Sequence, residues 1–131
     1  MRFKTFYLKE NIKFFSKTTL DFVKDLGYSK SITPRNTIIV YHGTSKKNAD
    51  NILKTGKFKG HPWFALDKSI AEKYATSHGG KNNTILTLEI DPSSVLPVAG
   101  SYLSARMEGL TIHGKDSNNN VWHLPNEELK L

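Results

Sequence analysis

Residues 37–41 read Thr-Ile-Ile-Val-Tyr, a β-branched run set apart from the preceding chain by Pro34 and Asn36. Branching at Cβ restricts rotation in a helix and suits a pleated, packed surface, so the run predicts a buried strand. His42, Gly43 and Thr44 follow at once, which puts them at the strand's end. Ser45 can then cap a helix over residues 46–55 that buries Ala49, Ile52 and Leu53 and is closed by Gly56. A strand, a loop bearing His and Gly, and a helix form the unit around which the other elements must be arranged.

A chain of 131 residues has room for one core and not for two, since a domain typically needs on the order of 100 residues. One domain over 1–131 is expected, with an N-terminal strand and helix region at 1–36 and the functional core at 37–131. Residues 2–8 have strand composition. Residues 9–26 place Ile12, Phe15, Phe22, Val23 and Leu26 at helical spacing ahead of Gly27, a C-terminal cap. Aromatics spaced in this way, Phe14 and Phe15 among them, are core more often than partner surface.

Gly60 and Pro62 bracket a loop before a short strand at 63–65. Asp67 or Ser69 then caps a helix carrying Ile70, Ala71, Tyr74 and Ala75 on one side, so Tyr74 faces inward. After a polar turn at 78–83, residues 84–90 alternate as a half-exposed strand, with Glu89 on the exposed face. Apolar runs at 95–98, 110–113 and 121–124 predict three further strands, separated by the 100–109 segment and a polar loop at 114–120. The pattern is α+β, mostly antiparallel, with helices concentrated in the first half.

Composition narrows the chemistry. The absence of cysteine excludes disulfides, a thiol nucleophile and thiolate zinc sites. Hydrophobic residues at 37% supply a core and argue against disorder. Lys9 and Glu10 interrupt the apolar run near the N-terminus before a signal-peptide core or membrane span could form, so a cytoplasmic protein without membrane contact is expected. Nineteen Lys and Arg against twelve Asp and Glu give a net charge of +7, which favours anionic partners such as nucleotides, nucleic acid or acidic protein faces. A basic surface for solubility alone explains the same number, and no nucleic-acid motif accompanies it.

Taken singly, His42 reads as a core histidine satisfied by a carbonyl, Gly43 as a turn, and Trp63 and Tyr74 as core aromatics. Their order says more. YHGTS at 41–45, followed by WFALDKSIAEKYA at 63–75 and then an apolar strand, resembles the ADP-ribosyltransferase superfamily, in the branch of the poly-ADP-ribose polymerases and diphtheria-type toxins. The resemblance spans residues 38–91 well and the remainder in outline. It implies a split antiparallel β-sheet core with flanking helices, and NAD as substrate without a metal. His42 would hold the adenosine side of NAD through a ribose hydroxyl, and the bare backbone at Gly43 would approach and pair with the nicotinamide carboxamide. Tyr74 would stack on the nicotinamide ring with Trp63 closing the other side. Thr44 and Ser45 are helpers at the phosphates or ribose.

Two positions depart from that pattern. The family's late-strand Glu corresponds to Asn120, or to Asn119 if the register slips by one. An amide binds a ribose hydroxyl but has no titratable base near neutral pH. Glu108, beside Gly109 at the entrance to a strand, is the preferred stand-in, whereas Glu127 and Glu128 read as solvated and His61, His78, His113 and His123 form no metal set. Ala71 stands where polymerase-type members carry a Ser that grips the carboxamide, and Ser69 would point elsewhere on the helix. The resemblance thus implies mono-ADP-ribosyl transfer to an unidentified acceptor (protein, nucleic acid or small molecule), by a toxin, a phage effector or a housekeeping enzyme. The alternatives are NAD hydrolysis, a non-catalytic binder of NAD, ADP-ribose or nucleic-acid ends, or an RNA 2′-phosphotransferase relative.

Overall fold

The computed structural model describes residues 18–58, 62–79, 81–102, 105–112 and 122–125. The strand expected at 2–8 and the first half of the helix expected at 9–26 lie outside them. Helix α1 (Thr19–Asp25) is set by Thr18, whose hydroxyl accepts from the Asp21 N–H at 3.1 Å while the Asp21 carboxylate accepts from the Thr18 N–H. Gly27 follows with φ +92°, the left-handed conformation expected of a helix stop. Phe22 and Val23 are buried, and the Thr19 hydroxyl donates to the Val95 carbonyl at 3.1 Å, fastening α1 to a later strand.

Strand β1 (Ile38–Ser45) is longer than the β-branched run. It continues through His42, Gly43 and Thr44, because strand β2 (Asn83–Ile90) pairs with it antiparallel over its whole length, from Ile38↔Ile90 to Ser45↔Asn83. The sequence placed these three residues at the strand's end; a partner strand of matching length overrides the weak β-propensity of His and Gly. Helix α2 (Lys46–Thr55) has the expected bounds, between the Ser45 hydroxyl, which accepts from the Asn48 N–H at 3.1 Å, and Gly56 at φ +75°; it buries Ala49 and Ile52, whereas Leu53, expected in the core, is exposed. Asp67 rather than Ser69 opens helix α3 (Lys68–Gly79), its carboxylate accepting from the Ser69 N–H at 2.9 Å.

Strands β3 (Val95–Tyr102) and β4 (Ala105–Ile112) form a hairpin paired from Val95↔Ile112 to Tyr102↔Ala105. Most of the 100–109 segment, expected as a separating loop, is therefore ladder. Alternate pairing across the hairpin holds Gly100 and Ser101 extended in spite of their composition. Strand β5 (Trp122–His123) adds to β2 opposite Ile90 and Glu89.

The result is a small α+β protein with two antiparallel sheets, ordered β1-β2-β5 and β3-β4. They are joined by a two-residue segment. Ala65 exchanges both backbone hydrogen bonds with Tyr41 of β1, at 2.8 and 2.9 Å, and Phe64 exchanges both with Leu110 of β4, at 2.8 and 3.0 Å. Phe64 is wholly buried there and shares the core with Val23, Ile38, Val40, Leu88, Ile90 and Leu110. Among the described residues no helix is long and apolar enough to cross a membrane.

Glu89 corrects the alternation read from the sequence. It is fully buried, not on an exposed face. The Thr37 hydroxyl donates to it, while the Arg35 guanidinium and the His123 ring nitrogen each lie 3.7 Å away. The chain before β1 and strand β5 cover this end of the sheet, a long-range event that a period of two cannot encode.

Phe64→Ala is expected to lower stability by about 3–5 kcal/mol, read by urea denaturation, because it empties the junction between the sheets. Leu124→Ala, at an exposed position, should stay within about 0.5 kcal/mol of wild type. Equal effects of the two changes would contradict the assigned junction.

Candidate nucleotide site

Successive residues of an antiparallel strand turn their N–H and C=O groups to opposite edges. Tyr41 turns both to Ala65, so Gly43, two residues on, turns its pair to the same edge, away from β2. Among the described residues the joining segment makes its backbone bonds to β1 at Tyr41, and Gly43 lines a cavity of about 330 Å³. His42, Thr44, Trp63 and Tyr74 line it too, so all five residues expected to bind the dinucleotide meet at one place.

His42 is held from three sides. Its Nδ1 lies 3.1 Å from the Trp63 carbonyl, and its ring meets Phe58 and Phe64 edge-on at 5.1 and 5.8 Å. Burial lowers its pKa from the ordinary 6.5, and the Trp63 hydrogen bond opposes that more weakly. A carbonyl only accepts, so the neutral ring carries its proton on Nδ1 and keeps a lone pair on Nε2. The carbonyl-satisfied histidine and the site histidine are therefore one and the same.

Gly43 has a different reason from the one expected. A Cβ there would sit 2.0 Å from the Ala71 carbonyl oxygen and 2.8 Å from the Ala75 nitrogen. The missing side chain lets the backbone of α3 cross β1 at close range, and does not itself make room for a carboxamide. What Gly43 offers a ligand is its strand edge. Ala71 and Ala75, both buried, are small for the same crossing.

The aromatic sandwich is also corrected. The Trp63 and Tyr74 ring centroids are 4.9 Å apart with a 33° tilt, whereas two faces holding a third ring must stand about 7 Å apart, twice a carbon contact distance. The rings touch each other and leave no slot between them. A planar ligand can use the open side of the pair or displace Trp63. The indole Nε1 is buried without a hydrogen-bond partner, which costs about 1–3 kcal/mol and weakens the hold on this ring position. Gly109 of β4 lies beneath the indole, where a Cβ would come within 2.6 Å of it.

Glu108 falls in the middle of β4, opposite Ala99, and not at a strand entrance; it is exposed and outside the cavity lining. Asn119, Asn120, Glu127, Glu128, His61 and His113 lie outside the described residues. Ser69 is occupied with the Asp67 carboxylate, and His123 with the Leu124 carbonyl at 3.0 Å. Among the described residues the lining contains no carboxylate.

Four lining residues, Tyr41, Asn48, Pro62 and Ala65, have no site role in the sequence pattern, where Tyr41 reads only as the end of a strand. Asn48 reaches the site because it stands in the first turn of α2, and its amide donates to the Thr44 hydroxyl at 3.2 Å. The Ser45 cap three residues earlier was the available signal, since it fixes the first turn against the end of β1.

No protein-family model, curated protein or solved structure matches the chain.

Gly43→Ala is expected to cost stability at or above the upper end of the ~1–3 kcal/mol typical of overpacking, because its contacts are backbone atoms; calorimetric melting checks this. His42 gives a pH dependence of definite sign. The unfolded chain protonates near the ordinary 6.5 and the folded chain at lower pH, so the unfolded state binds more protons in between and stability falls as pH drops through that window. Melting between neutral pH and pH of about 5 should show the fall, and His42→Gln should flatten it. A midpoint that rises on acidification in wild type and falls in the variant would refute the assignment.

Proposed function

We propose that the chain is a mono-ADP-ribosyltransferase of the branch containing the poly-ADP-ribose polymerases and diphtheria-type toxins, transferring ADP-ribose from NAD to an acceptor with release of nicotinamide. One observation carries the proposal: an imidazole with an acceptor nitrogen, an open strand edge at Gly43 and two aromatic rings converge from separate segments on one cavity. Its volume of about 330 Å³ is at the lower end of the ~300–1,000 Å³ typical of ligand pockets, which suits the nicotinamide riboside half of NAD with the rest in an open groove. The junction of two sheets around residues 64–65 agrees with the split-sheet architecture of this superfamily.

In this mechanism the Gly43 N–H and C=O pair with the carbonyl and amide of the carboxamide. Tyr74 packs on the nicotinamide ring, and His42 Nε2 accepts a hydrogen bond from a ribose hydroxyl. The C–N glycosidic bond breaks with its electron pair leaving on nicotinamide, and the positive ribose carbon is captured by the acceptor's nucleophile, which gives up a proton. The residues lower the barrier by orienting the scissile bond. Asn120, or Glu108 if β4 approaches the bound ribose, takes the position of the family's late-strand Glu. The lack of a carboxylate in the described lining favours a second reading, binding of NAD or ADP-ribose without transfer.

Nicotinamide release from NAD, followed chromatographically alongside calorimetric titration, separates the two. Tyr74→Ala is expected to reduce kcat/KM by about tenfold or more, the loss of ~1.4 kcal/mol of ring contact. Saturable NAD binding with no nicotinamide release selects the binder, and unchanged turnover in Tyr74→Ala removes the site assignment.

A further inference from the structure

The indole of Trp63 stands where the ring of the ligand belongs. Its centroid lies 4.9 Å from that of Tyr74 at a 33° tilt, within the range of stacked aromatic pairs. Both rings line the cavity at Gly43. One face of Tyr74 is therefore covered by the protein's own side chain.

The covering ring is weakly held. Stacking on Tyr74 favours its position, but the indole Nε1–H is buried there with no hydrogen-bond partner among the described residues, and the two effects are of similar size. Gly109 of β4 meets the other side of the indole without a side chain, since a Cβ there would come within 2.6 Å of Cε2 and Cζ2 of the ring. The backbone of Trp63, by contrast, is fixed: its carbonyl lies 3.1 Å from His42 Nδ1, and Phe64 exchanges both backbone hydrogen bonds with Leu110. The indole can move by rotation about its side-chain bonds while every bond that joins the two sheets stays in place.

We propose that Trp63 is an autoinhibitory plug: its indole covers the face of Tyr74 that a planar ligand ring takes, and the ligand enters by turning it aside. The inference rests on the NAD reading, with nicotinamide as that ring. Binding on the open side of the aromatic pair would leave the orphan N–H where it is, whereas displacement relieves it. Turned out, the indole N–H gains a hydrogen bond to water or to a ligand oxygen, and nicotinamide replaces the ring contact that Tyr74 gives up. The apparent affinity of the protein is then its intrinsic affinity reduced by the fraction of molecules with the indole turned out.

Calorimetry of nicotinamide and of NAD on the full chain and on Trp63→Ala gives opposite signs for a plug and for a clamp. Removing a plug is expected to tighten binding of both compounds by about threefold or more, whereas removing a clamping ring weakens it. Trp63 and Trp122 are the chain's two tryptophans, so Trp122→Phe leaves Trp63 as the sole indole fluorophore. Nicotinamide added to that variant should move its emission to longer wavelength and raise its quenching by acrylamide, as the ring passes from Tyr74 into water; this measurement does not depend on the folding of Trp63→Ala. Weaker binding in Trp63→Ala, or binding to Trp122→Phe that leaves the emission unshifted, overturns the plug and leaves the NAD reading standing. Failure of both compounds to bind either wild type or Trp63→Ala overturns that reading and this inference with it.

Discussion

Four backbone hydrogen bonds hold the molecule's two sheets together: Phe64 to Leu110 on one side and Ala65 to Tyr41 on the other. Adjacent residues of an extended segment point their backbone groups in opposite directions, so two residues suffice to join two edges. The residue just before them inherits its place from that junction. Trp63 is held with its carbonyl against His42 Nδ1 and its ring over Gly109. The same bonds at Tyr41 leave the next outward-facing edge of β1, at Gly43, as cavity wall. The site is thus a by-product of where a short bridging segment begins.

Local chemistry made part of this legible in the sequence. The β-branched run, the Ser45 cap and the Gly56 stop each act through their own neighbourhood, so the start of β1 and both ends of α2 stand where those residues put them. His42, Gly43, Trp63 and Tyr74 are grouped in the sequence by the resemblance that their ordered segments carry, since each alone reads as a core or turn residue. What stayed hidden depends on partners distant in the chain. The continuation of β1 through Gly43 needs β2, and the hairpin through Gly100 and Ser101 needs β4. The ring–ring contact of Trp63 with Tyr74 needs the registry of α3 over β1, which Gly43 and Ala71 set by close approach rather than by any pattern of hydrophobicity.

Charge is distributed unevenly along the site. At the aromatic end burial favours an uncharged His42. On the neighbouring helix α2, Lys47 and Lys54 are exposed to solvent.

The buried carboxylate of Glu89 invites assignment as the carboxylate missing from the described lining of the cavity, and the register argues otherwise. Glu89 lies opposite Ile39, four residues along β1 from Gly43, which at ~3.3 Å per residue separates the two by roughly 13 Å. Its neighbours tie chain ends: Thr37 and Arg35 precede β1, and His123 belongs to β5. One carboxylate oxygen makes no hydrogen bond, so the group is held by charge and by the Thr37 hydroxyl rather than by a complete set of donors. A two-residue strand such as β5 has few backbone bonds of its own, and a buried anion beside its imidazole gives it a second point of attachment. Glu89 therefore belongs to the closure of the sheet's far end and not to the cavity at Gly43.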